Sequence, residues 1–81
     1  MVVSIDFTGR QRALTQERGI DMLIDDTTRV ADALAYVRSR YPALALREGS
    51  VLATVNHRMA PLDRLLQADD NVAFLPPIAG G

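Results

Sequence analysis

The chain has 81 residues, which is enough for one domain and close to the lower limit for a self-supporting core. Its hydrophobic share of 48% is typical of a globular protein, and its net charge of −1 gives no basic field for binding nucleic acid or anionic lipid. The sequence contains no cysteine, which excludes a disulfide framework, a thiolate nucleophile and a cysteine-based metal site.

The first residues carry no sign of a targeting segment. Residues 1–6 lack the basic and long apolar regions of a signal peptide. No apolar run approaches the roughly 18 residues that a membrane-spanning helix needs. We therefore expect a cytoplasmic protein without a membrane partner.

Two short alternating segments open the chain. Residues 2–7 place three apolar side chains on one face, namely Val3, Ile5 and Phe7. After Gly19 the same period of two returns with Ile20, Met22 and Ile24. A period of two is typical of a half-buried strand, so the sequence predicts two strands joined as a hairpin with a long connection.

The period then changes to that of a helix. Four apolar residues recur at spacings of four, three and four: Val30, Leu34, Val37 and Tyr41. We expect Thr27 or Thr28 to supply the N-cap oxygen, and Pro42 to end the helix.

The last third of the chain predicts two more strands separated by turns. Residues 51–55 read as a strand, and residues 56–58 as a tight turn. The stretch from Pro61 to Leu66 predicts a short turn or a single helical turn, and residues 69–71 predict another turn. Residues 72–75 form the last predicted strand, which Pro76 and Pro77 end because proline has no N–H to donate.

This element order predicts a two-layer α+β domain, because one amphipathic helix covers only one face of a small sheet. The ubiquitin-like β-grasp has this order, with a mixed sheet of four to five strands and one main helix packed on one face. In that fold the first and last strands pair side by side in the centre. We assign residues 1–75 to the domain and residues 76–81 to an extended tail.

The tail ends in two glycines. Gly80 and Gly81 lack a Cβ, so they form a thin thread that can enter a narrow channel and bring a terminal carboxylate to another protein's active site. Ala79 keeps the cross-section small, and Ile78 offers one apolar anchor. Pro76 and Pro77 favour an extended stem, or simply end the strand; both can hold.

We expect the docking surface for a partner on the sheet face that points away from the helix. Phe74 and Leu75 must face opposite sides of the sheet, since adjacent strand residues alternate. We favour Phe74 as the partner contact and Leu75 as the core residue. Met59 is a further candidate for an apolar patch on that face.

The closing segment, residues 69–81, resembles that of the β-grasp sulfur carriers, the MoaD/ThiS-type family that includes the small subunit of molybdopterin synthase. Residues 43–49, the pair Val55-Asn56 and the predicted helix start at residues 28–34 are similar as well. The chain departs from the family in the last turn, where Asp69 stands in place of the usual glycine.

The resemblance implies a chemistry for the tail. An E1-like adenylating enzyme would use ATP to activate Gly81, and sulfur from a sulfur-donating transferase would then displace AMP to leave a thiocarboxylate. The large catalytic subunit of molybdopterin synthase would take the tail and transfer the sulfur to the cofactor precursor. The chain itself would bind no cofactor or metal and would catalyse nothing alone.

Other functions remain open at this point. The same tail suits a sulfur carrier for thiamine, cysteine or tRNA thiolation, or a ubiquitin-like modifier joined to lysines through Gly81. A β-grasp binding module with an inert tail is the plainest alternative. His57 reads as a turn residue, and the pairs Asp25-Asp26 and Asp69-Asp70 read as cap and turn residues.

Overall fold

The computed structural model describes residues 1–75. In chain order its elements are β1 (Val2–Asp6), α1 (Arg10–Thr15), β2 (Gly19–Leu23), α2 (Val30–Arg40), a 3₁₀ turn (Pro42–Leu44), β3 (Leu52–Val55), β4 (Arg58–Ala60) and β5 (Asn71–Leu75). The strands form a single mixed sheet in the order β2-β1-β5-β3-β4.

The last strand lies at the centre of the sheet. β5 runs parallel to β1, with Ile5 opposite Val72, and antiparallel to β3, with Val55 also opposite Val72. β2 and β4 are the two edges and pair antiparallel with β1 and β3. The predicted α+β class and the central pairing of first and last strands are confirmed.

One face of the sheet packs against α2 to make the core. The sheet contributes side chains that are buried or nearly so, including Val3, Ile5, Met22, Ala53, Val55, Val72 and Phe74. The helix contributes Val30, Ala33, Leu34 and Val37. Burying each of the larger side chains is worth about 1.5–3 kcal/mol. The predicted apolar stripe of the helix is therefore the face that covers the sheet.

The start of α2 differs from the prediction. Arg29 occupies the cap position, and its N–H donates to Asp32 Oδ2 at 2.8 Å. Thr27 and Thr28 instead bond to Asp25 Oδ1 through their hydroxyls, at 2.8 and 3.1 Å. The prediction of a threonine N-cap was wrong, because both threonine hydroxyls bond within the preceding turn.

The end of α2 agrees with the prediction from the sequence. Tyr41 donates its N–H to the Val37 carbonyl, and Pro42 starts the 3₁₀ turn. The Tyr41 ring meets Phe7 edge to face, with centroids 5.2 Å apart. This contact joins the end of the helix to the residue that follows β1.

Two elements besides the 3₁₀ turn were not predicted. α1 falls within the polar run after Gly9, and β4 follows directly on the turn at Asn56 and His57. Both residues of that turn have positive φ, 53° and 68°, as a two-residue hairpin loop requires. The tight turn was predicted correctly, but Arg58 belongs to the returning strand.

No helix within residues 1–75 is both long and apolar enough to cross a membrane.

Candidate functional site

The end of β5 is where the described chain meets the predicted tail. β5 ends at Leu75, and six of the seven predicted site residues lie outside the described residues: Pro76, Pro77, Ile78, Ala79, Gly80 and Gly81. Their predicted roles, and the boundary of the tail, stay predictions. The structure does describe Phe74 and the surface from which the chain leaves the sheet.

Phe74 is a core residue, and its prediction as a partner contact was wrong. Its side chain is only 2% exposed. It lies opposite Ala53 and on the same face as Val72, so the register directs the ring toward α2. Leu75 takes the other face, where it is half-buried and lies opposite Leu52.

The open sheet face carries apolar side chains next to the end of β5. Leu52 is 41% exposed and Met59 is 63% exposed. Met59 pairs with Thr54, which pairs in turn with Ala73, so these residues share one row across three strands. Residues directly opposite in paired strands share a face. We name the group Leu52, Met59, Ala73 and Leu75 the open-face patch.

The position of the open-face patch agrees with the expected docking face. It lies on the side away from α2 and borders the point where the chain leaves β5. Met59 was predicted to extend such a patch, and its exposure confirms that it faces outward. Apolar side chains that are contiguous on the surface, as in this patch, are typical of interaction surfaces.

α1 holds the end of β5 on the side of the strand that faces away from β3. Gln11 Nε2 donates to the Phe74 carbonyl oxygen at 2.7 Å, and Gln11 Oε1 accepts from the Thr8 N–H at 3.1 Å. Gln11 is only 7% exposed, although it is polar. Sequence reasoning missed this residue because nothing in the run Arg10-Gln11-Arg12 indicates burial.

A buried carboxylate holds the start of β5. Asp70 is 6% exposed and accepts bonds from the Gln67 N–H at 2.8 Å, the Asn56 amide at 2.9 Å and Arg64 at 3.3 Å. Burial alone would raise its pKa, but the Gln67 and Asn56 hydrogen bonds and the Arg64 charge outweigh it, and the pKa is lowered. Asp70 is therefore a charged structural anchor.

The preceding residue has a left-handed backbone. Asp69 has φ 67°. Aspartate is enriched in this region relative to most other side chains. The turn before β5 is therefore formed with aspartate at the position where the resemblance implies glycine.

The other candidate chemical residues have local structural roles. The Asp25 carboxylate accepts from the N–H and hydroxyl of Thr27 and from the Thr28 hydroxyl, and these bonds lower its pKa. His57 is exposed in the β3–β4 turn. Within residues 1–75, no three metal-ligating side chains come together in a group that could hold an ion.

Comparison with known sequences gives a family match along nearly the whole chain. The model of the ThiS family matches residues 5–81, a range that includes the tail. A molybdopterin synthase sulfur carrier subunit of Mycobacterium tuberculosis is 34% identical over 58 residues, covering 72% of this chain and 70% of the relative. The corresponding Escherichia coli subunit is 49% identical over 39 residues, covering 48% of each chain, so the match spans about half of its length.

Comparison with solved structures supports the fold independently. SAMP1 from Haloferax volcanii superposes with a TM-score of 0.81 at 22% identity, over 100% of both chains. A chain from the complex of subunits 1 and 2 of molybdopterin-converting factor from Helicobacter pylori superposes with a TM-score of 0.68 at 20% identity, again over 100% of both chains. At these identities the likeness establishes the fold alone.

The central β5, the tail that follows it and the family match over residues 5–81 agree with one another. The resemblance to the β-grasp sulfur carriers is thereby confirmed, and the chain belongs to the ThiS family.

Proposed function

We propose that this protein is a sulfur carrier whose terminal Gly81 is converted to a thiocarboxylate, and that it serves as the small subunit of a molybdopterin synthase. The observation that carries the proposal is the family match, which extends through the glycine pair to residue 81. Relatives named as molybdopterin synthase sulfur carrier subunits, at 34% and 49% identity, favour that pathway over others.

The geometry of the described residues suits a carrier. The end of β5 is anchored through Phe74 in the core and through Gln11, while Leu75 belongs to the open-face patch. A partner that binds the open-face patch would therefore receive the following residues from a fixed starting point. The partner would then bind the folded domain and the tail in a single association, which reduces the entropy lost.

The chemistry requires partners. A carboxylate is a poor electrophile, so an E1-like adenylating enzyme would first join the Gly81 carboxylate to the AMP portion of ATP and release pyrophosphate. Hydrosulfide-level sulfur, supplied through a sulfur-donating transferase, would attack the carbonyl carbon; the new C–S bond replaces the C–O bond to AMP, and AMP leaves. The large catalytic subunit would then accept the thiocarboxylate tail and use its sulfur. In this scheme ATP binds to the activating enzyme. The need for ATP fits a location of this protein in the cytoplasm.

Two other outcomes use the same activated carboxylate. Use of the resulting thiocarboxylate for thiamine, cysteine or tRNA thiolation would make this chain a sulfur carrier in another pathway. Attack by a lysine amine would make this chain a modifier. One of the structures with a similar fold, from Haloferax volcanii, is named small archaeal modifier protein 1. The apolar pair Ile78-Ala79 before the glycines disfavours the modifier, since modifiers often carry a basic residue there.

Intact mass spectrometry of the protein from its own cells tests the proposal. We expect a species in which one terminal oxygen is replaced by sulfur, and we expect incubation with the cognate adenylating enzyme, ATP and a sulfur donor to increase it. Conjugates on lysines of other proteins would favour the modifier instead. A carboxylate that stays unchanged under these conditions would overturn both.

A matched pair of variants separates the tail from the fold. Deletion of Gly81 is expected to abolish activation and to leave the thermal unfolding midpoint unchanged, because the core lies within residues 3–74. Gly49→Ala is the control for a change at a glycine outside the tail, since a Cβ at that position meets no atom within 4 Å. Loss of folding on deletion of Gly81 would contradict a tail that is independent of the domain.

A further inference from the structure

Gln11 completes the hydrogen bonding of the sheet where its central pair of strands ends. The pairing of β1 with β5 stops at Asp6 and Ala73. Directly beyond this point, the Gln11 side-chain amide accepts from the Thr8 N–H and donates to the Phe74 carbonyl. An amide side chain has the same donor and acceptor as a peptide group, so Gln11 bridges the two strands as an added peptide would.

This bridge fixes the end of β5 from its second side. On one side, Leu75 still pairs with Leu52 of β3. On the other side, β1 has ended, and the Gln11 amide is the group that bonds to the Phe74 carbonyl. The peptide between Phe74 and Leu75 therefore has a defined orientation at the point where the chain leaves the sheet.

Orientation at this point matters because the reacting group lies only six residues further along the chain. Six residues span at most about 20 Å, so the direction of the Phe74–Leu75 peptide limits the volume that the Gly81 carboxylate can reach. Displacement of a positioned group reduces the rate of a reaction that depends on its position.

We infer that Gln11 is a positioning residue, which sets the direction of the chain after β5 and so the efficiency with which Gly81 is activated. The inference rests on the proposed function. Gln11 does not touch the reacting atoms; it acts through the Phe74 carbonyl. Its burial at 7% exposure keeps water away from the bridge, which strengthens the effect of the hydrogen bond.

The test compares three variants. Gln11→Met keeps the size of the side chain and removes both bonds, whereas Gln11→Glu keeps an acceptor for Thr8 and removes the amide donor to Phe74. Thr15→Val is the structural control, because it removes a 2.9 Å bond within α1, from Thr15 Oγ1 to the Gln11 carbonyl, without touching β5. All are assayed at a temperature where thermal unfolding shows each to be folded.

Two readouts distinguish positioning from stability. Loss of the hydrogen bond to the Phe74 carbonyl, which both Gln11 variants lack, is expected to lower kcat for adenylation by the cognate enzyme by about two- to tenfold, with KM unchanged because the open-face patch is intact. Amide hydrogen exchange at Leu75 should rise by a similar factor, relative to Val72 in the same strand. Thr15→Val should change neither readout.

The outcomes separate this inference from the proposed function. A wild-type chain that is not adenylated at all overturns the proposed function, and the role of Gln11 in activation with it. An active wild type with unchanged kcat and unchanged Leu75 exchange in both Gln11 variants overturns this inference alone. An equal effect of Thr15→Val on kcat would reduce Gln11 to a structural role and also overturn it.

Discussion

Asn56 Nδ2 donates a hydrogen bond to Oδ1 of Asp70 at 2.9 Å, so the β3–β4 turn holds the residue directly before β5. The same Asn56 side chain accepts from the Asn71 N–H through its Oδ1, also at 2.9 Å. The central strand is therefore fixed at its start by the turn that follows the neighbouring strand β3, and at its end by Gln11.

Acid is expected to weaken the fold partly through Asp70. Its pKa is lowered in the folded state, from an ordinary value of 3.8, so the unfolded chain binds a proton more readily. The contribution of Asp70 is thus complete above pH 3.8 and is lost as the pH falls through the lower folded-state pKa. Urea unfolding at a series of pH values below neutrality measures this loss.

Asp70→Asn is the control for the acid effect. The amide does not titrate, so the free energy of unfolding should depend less on pH in the variant than in the wild type across the same range. Some dependence should remain from Asp25, whose pKa is also lowered. Identical pH profiles for the two proteins would rule out Asp70 as the source.

Phe74→Ala is expected to destabilise the fold strongly. The ring is 2% exposed, and truncating a buried phenylalanine costs about 3–5 kcal/mol through lost burial and the cavity left behind. Leu75→Ala, one residue later on the open face, should cost about 1 kcal/mol or less. Denaturant unfolding of both variants checks the assignment of the two faces, and the reverse order of effects would contradict it.

A charge on the open-face patch should weaken partner binding without unfolding the protein. Met59 is 63% exposed, so Met59→Glu should change the free energy of unfolding by less than about 0.5 kcal/mol. Burying the carboxylate in an interface should raise the Kd for the adenylating enzyme by about tenfold or more, measured by calorimetry.

The matched control for that variant is Leu23→Glu. Leu23 is 81% exposed on the same sheet face, but it lies on the edge strand β2, opposite Val2 and away from the end of β5. Its substitution should leave the Kd unchanged. Equal weakening by both variants would show that the binding surface is not confined to the open-face patch.

Gly19→Ala is expected to destabilise the β1–β2 pair. A Cβ at this position would come within 2.5 Å of the Ile5 carbonyl oxygen, so the two backbones must move apart. We expect a cost of about 1–3 kcal/mol, as for other overpacking substitutions. Gly49→Ala meets nothing within 4 Å and should be neutral or slightly stabilising in the same thermal unfolding assay.

Periodicity predicted the elements that bury a regular stripe. The alternation at Val3, Ile5 and Phe7 and the helical spacing of Val30, Leu34 and Val37 correspond to fully or almost fully buried faces in the structure. Periodicity could not decide between Phe74 and Leu75, because both are large and apolar and adjacent. That choice depends on the register with β3, which is a long-range property.

The missed elements have no such stripe. α1 has one buried residue, and it is the polar Gln11, whose burial depends on the Phe74 carbonyl 63 positions away in the sequence. β4 has only three residues, of which Arg58 and Met59 are exposed. The tail motif, the docking face and Met59 could be predicted from the sequence, whereas the outward position of Leu75 and the bond from Gln11 to Phe74 required the structure.

The central position of β5 links folding to the order of synthesis. Of the elements that the structure describes, β5 is synthesised after the others, yet it fills the gap between β1, the earliest of them, and β3. A nascent chain without it leaves the inner edges of both neighbours unpaired, and such long-range pairing forms late in folding. A partner that recognises the open-face patch would thus bind only chains in which β5 is already in place, because two of the four patch residues, Ala73 and Leu75, belong to β5.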